Sequence, residues 1–244
     1  MRARHRHFSY KAAGASLALD TRYISGTSDG STVQTWSDIS GNARNATQAT
    51  AADRATYKTA IQGGNPILRF DGTDFYNATF VTGTAFSIYS VYKRSGSNTN
   101  AFDNVTFVAS ASVAGTGPAN ERRYQLVYDD ASGGRFNLLT NATVSTSITP
   151  RNDNFNVHSV TAAVGSGDQE YLLNGGSRQT ASVAGQSGVT SGSVRMTVGA
   201  ASWVNLLPFV GDLGLLVTFE TAQSSSLRRR LEQSAAYSFK IACS

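Results

Sequence analysis

The segment Tyr124-Gln-Leu-Val-Tyr-Asp129, followed by Asp-Ala-Ser-Gly-Gly134 and then Arg135-Phe-Asn-Leu-Leu139, decides the fold class. Tyr124, Leu126 and Tyr128 alternate with Arg123, Gln125 and Asp129, and a period of two puts the apolar set on one face of a strand. Gly133-Gly134 supplies the positive φ that a tight antiparallel connection needs. The same grammar recurs further along. Val194, Met196 and Val198 alternate with Arg195 and Thr197, and Asn174-Gly175 closes the run Glu170-Tyr-Leu-Leu173.

Further strands are expected at Thr32 to Trp36, Ile67 to Phe70, Phe86 to Tyr92, Val105 to Ala109, Phe155 to Val164, Ser177 to Val183 and Phe209 to Phe219. About a dozen short strands at regular spacing argue for an all-β, two-sheet antiparallel sandwich of the jelly-roll type rather than parallel β-α-β units. The exception is Ser224 to Lys240, where Leu227, Leu231, Ala235 and Phe239 fall at steps of four after a run of serines that can cap a helix start. A single C-terminal amphipathic helix is therefore expected over 224–240. Its Arg228-Arg229-Arg230 run reads as the solvated side of that helix.

Composition agrees. Of 244 residues, 40% are hydrophobic but only 15% are charged, and 23 are Gly, which excludes disorder and coiled coil and suits a turn-rich β protein. No apolar stretch approaches the roughly 20 residues of a membrane-spanning helix. The basic start Met1 to Lys11 is followed only by a broken apolar patch ending at Asp20, so no secretory signal is read. A single cysteine, Cys243, leaves no partner for an intrachain disulfide, as expected of a chain folded in a reducing cytoplasm. Cys243 itself is given no role.

The net charge of +5 resides mainly at the N-terminus, where Arg2, Arg4, Arg6 and Lys11 stand without an acidic residue. A basic arm (1–15) on a nearly neutral domain (16–244) points to a local electrostatic anchor rather than to a nucleic-acid face, which would spread its cations over one surface. Arginine outnumbers lysine by 17 to 4, which suits bidentate pairing with acidic groups at an interface.

Thr32-Val-Gln-Thr-Trp-Ser-Asp38 with Ile39-Ser-Gly-Asn-Ala-Arg-Asn-Ala-Thr-Gln48 resembles the laminin-G-like branch of the concanavalin-A-like lectin/glucanase jelly rolls. Ile67-Leu-Arg-Phe-Asp-Gly-Thr-Asp74, Phe86-Ser-Ile-Tyr-Ser-Val-Tyr92 and His158-Ser-Val160 with Tyr171-Leu-Leu-Asn-Gly175 continue the likeness. Phe209-Val-Gly-Asp-Leu-Gly-Leu-Leu-Val217 and the terminal helix close it, so that roughly Ser16 to Lys240 is covered. The resemblance implies a β-sandwich whose members mostly bind glycans or proteins. It also raises calcium at the sandwich rim, for which Asp38, Asn42, Asp71 and Asp74 are the candidate oxygens. Turn chemistry is the preferred reading of these four, because Asp and Asn in such sequences bond their own backbone, and Phe75 stands where many relatives place another carboxylate.

Catalytic patterns are sparse. Glycoside hydrolysis needs two carboxylates flanking one bond, and the four glutamates Glu121, Glu170, Glu220 and Glu232 do not share a strand and read as ordinary surface residues. Gly26-Thr-Ser-Asp-Gly30 has the letters of a nucleophile elbow but precedes a strand rather than a helix, and is read as a turn. His158 sits in a strand pattern as a structural residue, and His5 and His7 lack further zinc ligands. No phosphate-binding glycine motif occurs, and the Asn-x-Ser/Thr sites at Asn45, Asn77, Asn104 and Asn141 are not expected to be modified in a chain without a signal.

These readings lead to a non-enzymatic structural or binding protein without a resident cofactor. The first expectation is a bacteriophage virion component, such as a capsid decoration, head fibre or tail adhesin, made in the host cytoplasm. Its basic arm would be anchored to capsid or tail subunits, or to further copies of the chain. The alternative is a bacterial carbohydrate-binding, lectin-like module, secreted or at the cell surface, and a glycoside hydrolase ranks last. Nucleic acid and membrane insertion are not expected partners.

Overall fold

The computed structural model describes residues 8–82, 85–95, 105–112, 124–129, 135–140, 142–145, 154–163, 168–176, 179–182, 192–200 and 209–242. In chain order the first strands are β1 (Leu17–Asp20), β2 (Thr35–Trp36), β3 (Ala46–Thr47), β4 (Thr56–Gln62), β5 (Asn65–Asp71), β6 (Tyr76–Thr82), β7 (Ala85–Arg94) and β8 (Val105–Ser112). They are followed by β9 (Tyr124–Asp129), β10 (Arg135–Thr140), β11 (Ala142–Ser145), β12 (Asn156–Ala163), β13 (Asp168–Leu173), β14 (Gln179–Ser182), β15 (Gly192–Val198) and β16 (Val210–Phe219). The chain ends in helix α1 (Ser225–Phe239).

The strands form two antiparallel sheets, as the alternation and turn signals predict. One runs β14-β13-β12-β7-β16-β5-β4, with β1 also paired to β16; the other runs β11-β10-β9-β8-β15-β6-β3-β2. In each sheet consecutive strands such as β12–β13 and β9–β10 are joined to strands from distant parts of the sequence, such as β7–β16 and β6–β15, which is the jelly-roll pattern of two sheets wound together. The expected hairpin of Tyr124 to Leu139 is present as β9 paired with β10, Tyr128 opposite Phe136. Gly133 and Gly134 lie outside the described residues. At the second expected turn, Asn174 and Gly175 both take positive φ, 51° and 70°. The sequence Asn-Gly tolerates that at little cost.

The expected strand over Thr32 to Trp36 changes sheets partway. Thr32 bridges Thr56 beside the first sheet, and Val33 donates its N–H to the Ala55 carbonyl, whereas Thr35 and Trp36 pair with β3 in the second sheet. This crossing puts Trp36, fully buried, between the two layers. Gly26 to Gly30 forms the turn before it, with positive φ at both glycines and no following helix.

Two apolar layers result. Between the sheets lie Trp36, Tyr76, Phe70, Phe86, Tyr92 and Phe209, all essentially sealed from water. On the outer face of the first sheet, Tyr89, Val91, Val157, Leu215, Val217 and Phe219 pack beneath α1, which contributes Leu231, Ala235 and Phe239. Along β7 and β12 the two sets alternate strictly, Ile88 inward and Tyr89 outward, Val160 inward and Val157 outward. In β16 a register shift between Leu213 and Leu215 inserts Gly214, so Leu213 and Leu216 face inward while Leu215 and Val217 face the helix. One extra residue inverts the alternation, and without it one half of β16 would present its leucines to the wrong layer.

Helix α1 starts and stops where the sequence predicts. Ser224 is the N-cap, its Oγ accepting from the Leu227 N–H, and Lys240 ends the helix in the left-handed region at φ 49°. Gly214 lets the helix seat closely: a Cβ there would lie 2.6 Å from Phe239 Cε1. Burying Phe239 completely in that contact contributes about 2–3 kcal/mol.

Candidate functional site

Residues 8–15, the described part of the expected basic arm, fold onto the sandwich. Tyr10 is buried, and its hydroxyl donates to Asp20 Oδ2 at 3.2 Å. Asp20, itself fully buried at the end of β1, is engaged by Arg22 through Nη2 at 2.5 Å and Nε at 2.9 Å, and the Arg22 guanidinium lies over the Phe239 ring at 5.3 Å. Burial and the neighbouring Asp20 carboxylate push the Tyr10 hydroxyl pKa well above its ordinary value. Phe8 packs against the same layer, with the Arg230 guanidinium 6.0 Å from its ring centre. Of the four expected anchoring cations, Arg2, Arg4 and Arg6 lie outside the described residues. Lys11 is exposed, and its stem crosses Gly41, whose Cβ position is 3.2 Å from Lys11 Cδ.

The candidate calcium oxygens fall in two separate turns. Asp38 accepts from the backbone N–H groups of Ala18 and Ser40 through Oδ1, and from Arg44 N–H and Ser40 Oγ through Oδ2. Asn42 turns its amide nitrogen to the carbonyls of Ala15 and Ser16 at 3.0 and 3.1 Å. Asp38 and Asn42 thus clamp the 38–44 turn to the start of β1. In the β5–β6 turn, Asp71 Oδ1 accepts from Thr73 N–H and Oγ1, which lowers its pKa. Asp74 is buried and accepts from the Asp71 N–H, and desolvation pushes its pKa up to about 6. Among the described residues, no three His, Cys, Asp or Glu side chains gather as a metal group.

The sequence expectation for the charged helix residues needs correction. Arg229 and Arg230 are exposed as expected, but Arg228 is buried and forms an ion pair with Glu170 on β13. Glu232, also expected at the surface, is buried and accepts from Ser159 Oγ on β12. The spacing of four puts Arg228 and Glu232 on one helix face, and that face lies over the sheet beside Tyr89. The polar seam carries charge because the helix crosses the sheet where its strands offer Ser159 and Glu170 rather than apolar side chains. Glu220 is half exposed and pairs with Arg44 at 3.2 Å, while Glu121 lies outside the described residues. His158 is sealed between the sheets, and burial lowers its pKa to about 3, so its imidazole is neutral at physiological pH.

The opposite side of α1 borders a concavity. A groove of about 910 Å³ runs between the Phe8 to Ala13 turn and the helix, lined by Arg230, Gln233, Tyr237 and a set of serines. A second recess of about 530 Å³ adjoins it across Tyr237 and Ser238, and is bordered by Arg22, Asn65 and Lys240. Tyr237 is 62% exposed on the shared wall. Arg230, Gln233, Ser234 and Tyr237 stand at helical steps of three, four and seven, so they form one stripe about 10 Å long. An exposed aromatic ring among hydroxyl, amide and guanidinium groups can meet an apolar face of a ligand and hydrogen-bond its polar edge. None of these residues was singled out as a ligand site from the sequence.

No protein-family model matches the chain, and no curated protein matches it by sequence. Solved structures do match by shape. Domain 4 of AbnA, a GH43 extracellular arabinanase from Geobacillus stearothermophilus solved in complex with arabinotriose, superposes with a TM-score of 0.62 at 13% identity over 90% of this chain and 98% of that domain. This chain has the fold of that domain. Trypanosoma rangeli sialidase matches with a TM-score of 0.60 at 15% identity, over 91% of this chain and 33% of its own length. A GH54 α-L-arabinofuranosidase matches at 0.61 and 14%, over 85% and 51%. The chain therefore spans about a third of the sialidase and half of the arabinofuranosidase.

These matches confirm the two-sheet sandwich and overturn the expected virion role, since the proteins sharing the fold are named for work on glycans. The expectation of a non-enzymatic chain is corrected by the same finding, because the arabinanase, the sialidase and the arabinofuranosidase are enzymes.

Proposed function

We propose that this chain is a carbohydrate-binding β-sandwich module and that its binding site is the Tyr237 groove. The observation that carries the reading is the exposed Tyr237 ring on the wall shared by the two recesses, flanked by Arg230, Gln233 and serine hydroxyls. The match to nearly the whole of an arabinanase domain solved with arabinotriose supports the same class of ligand. We further assign the sandwich to the laminin-G-like branch of the concanavalin-A-like jelly rolls. In support, the resembling segments fall in order on β2, β5, β7, the β12–β13 pair and β16 before α1.

The test is calorimetric titration of the full chain with arabinotriose, sialyllactose and a broad glycan array, with the same incubations followed for released sugar to report hydrolysis. Binding of at least one glycan class, weakened about tenfold or more in Tyr237→Ala, is the expected result, because losing ring contact forfeits roughly 1.5–2 kcal/mol. Absence of any glycan binding overturns the proposal, and binding indifferent to Tyr237 moves the site elsewhere.

A further inference from the structure

We infer that the Tyr237 groove selects acidic glycans, those whose sugars carry carboxylate groups. This rests on the carbohydrate-binding reading and adds the chemical class of the ligand. Among the described residues, those bordering the two recesses include Arg22, Arg230 and Lys240 and not one carboxylate. Arg22 is already committed to the buried Asp20, so the charge it presents is largely balanced. Arg230 and Lys240 are both exposed, and they stand on either side of Tyr237 about 15 Å apart along the helix. Arg230 is held near the groove by the Phe8 ring, which fixes its planar fork without consuming its hydrogen-bond donors.

In the sequence, Arg2, Arg4 and Arg6 precede Phe8 with His5 and His7, and no acidic residue occurs before Asp20. A concave site rimmed by one sign of charge concentrates ligands of the other sign. The serine hydroxyls and the Gln233 amide between the two cations match the hydroxyl groups of a saccharide. An acidic peptide or a lipid surface would leave those donors and the ring face less well matched.

The experiment uses the full chain and compares a uronic-acid trisaccharide, sialyllactose and neutral arabinotriose by calorimetry, at low salt and in 1 M NaCl, where the screening length is about 3 Å. At least one carboxylated sugar is expected to bind about tenfold or more tightly than the neutral one, and high salt should erase most of the difference. The two acidic probes distinguish a uronate from a sialate source of the carboxylate. The double variant Arg230→Gln with Lys240→Gln, both at exposed positions, should weaken the carboxylated sugar more than arabinotriose and so reduce the preference to about threefold or less. Equal or tighter binding of arabinotriose overturns the inference and leaves the carbohydrate reading standing. A preference untouched by the double variant also overturns it, by placing the selectivity elsewhere. No glycan binding by the full chain overturns both, as does capture of anionic vesicles or an acidic peptide in place of every sugar.

Discussion

Replacing His158 with Gln should change how the stability of this protein depends on pH. The imidazole is 1% exposed on β12, on the inward-facing side shared with Val160, and burial lowers its pKa from 6.5 to about 3. Between pH 7 and pH 5 the unfolded chain takes up a proton at this residue and the folded chain does not. Stability therefore falls as pH falls, by about 2 kcal/mol over that interval from this group alone. Asp74 acts in the other direction. Its folded pKa of about 6 lies above the ordinary 3.8, so the folded chain binds the proton first and gains about 1 kcal/mol over the same interval. The wild-type protein should thus lose only about 1 kcal/mol from these two groups together. Urea denaturation at pH 7, 6 and 5 measures the difference. Relative to wild type, His158→Gln should become more stable by about 2 kcal/mol at pH 5 than at pH 7, whatever its offset at neutral pH. An offset constant to within about 0.5 kcal/mol would refute the reasoning, because the folded imidazole would then be accepting its proton in place.

Other consequences follow from the helix seat and the two rim turns. Asp74→Asn keeps an acceptor for the Asp71 N–H but removes the titration, so its loss of stability from pH 7 to pH 5 should exceed that of wild type by about 1 kcal/mol in the same urea series. Gly214→Val would drive a side chain into the Phe239 ring and should cost about 2–3 kcal/mol, read as a lower urea midpoint. Arg228→Ala removes a buried guanidinium and its ion pair with Glu170 at the helix–sheet seam and should destabilise by about 3 kcal/mol, whereas Arg229→Ala, at an exposed position, should change stability by less than about 0.5 kcal/mol. Since the Asp38 oxygens already accept from backbone N–H groups, EDTA is expected to change neither the melting temperature nor glycan affinity. A melting temperature that drops with EDTA and recovers with calcium would restore the rim turns as a metal site.

By itself the sequence determined the sandwich, because a period of two, Asn-Gly and Gly-Gly turns and a capped four-step helix are local signals that packing had only to accept. Ser224 and Lys240 bound α1 as expected for that reason, and β9 pairs with β10 as the alternation predicts. Three things were decided only in three dimensions. The bulge at Gly214 inverts the facing of β16, and an apolar run such as Leu213 to Val217 carries no mark of where its alternation breaks. Arg228 looked solvated within a run of three arginines because a charge run says nothing about its neighbours; Glu170 reaches it from a strand more than fifty residues away in the chain. The Tyr237 groove was half legible, since Arg230, Gln233 and Tyr237 already stand on the helix face away from Leu231 and Phe239. Its other wall comes from Phe8 to Ala13, which the burial of Tyr10 against Asp20, ten residues further along the chain, holds on the sandwich.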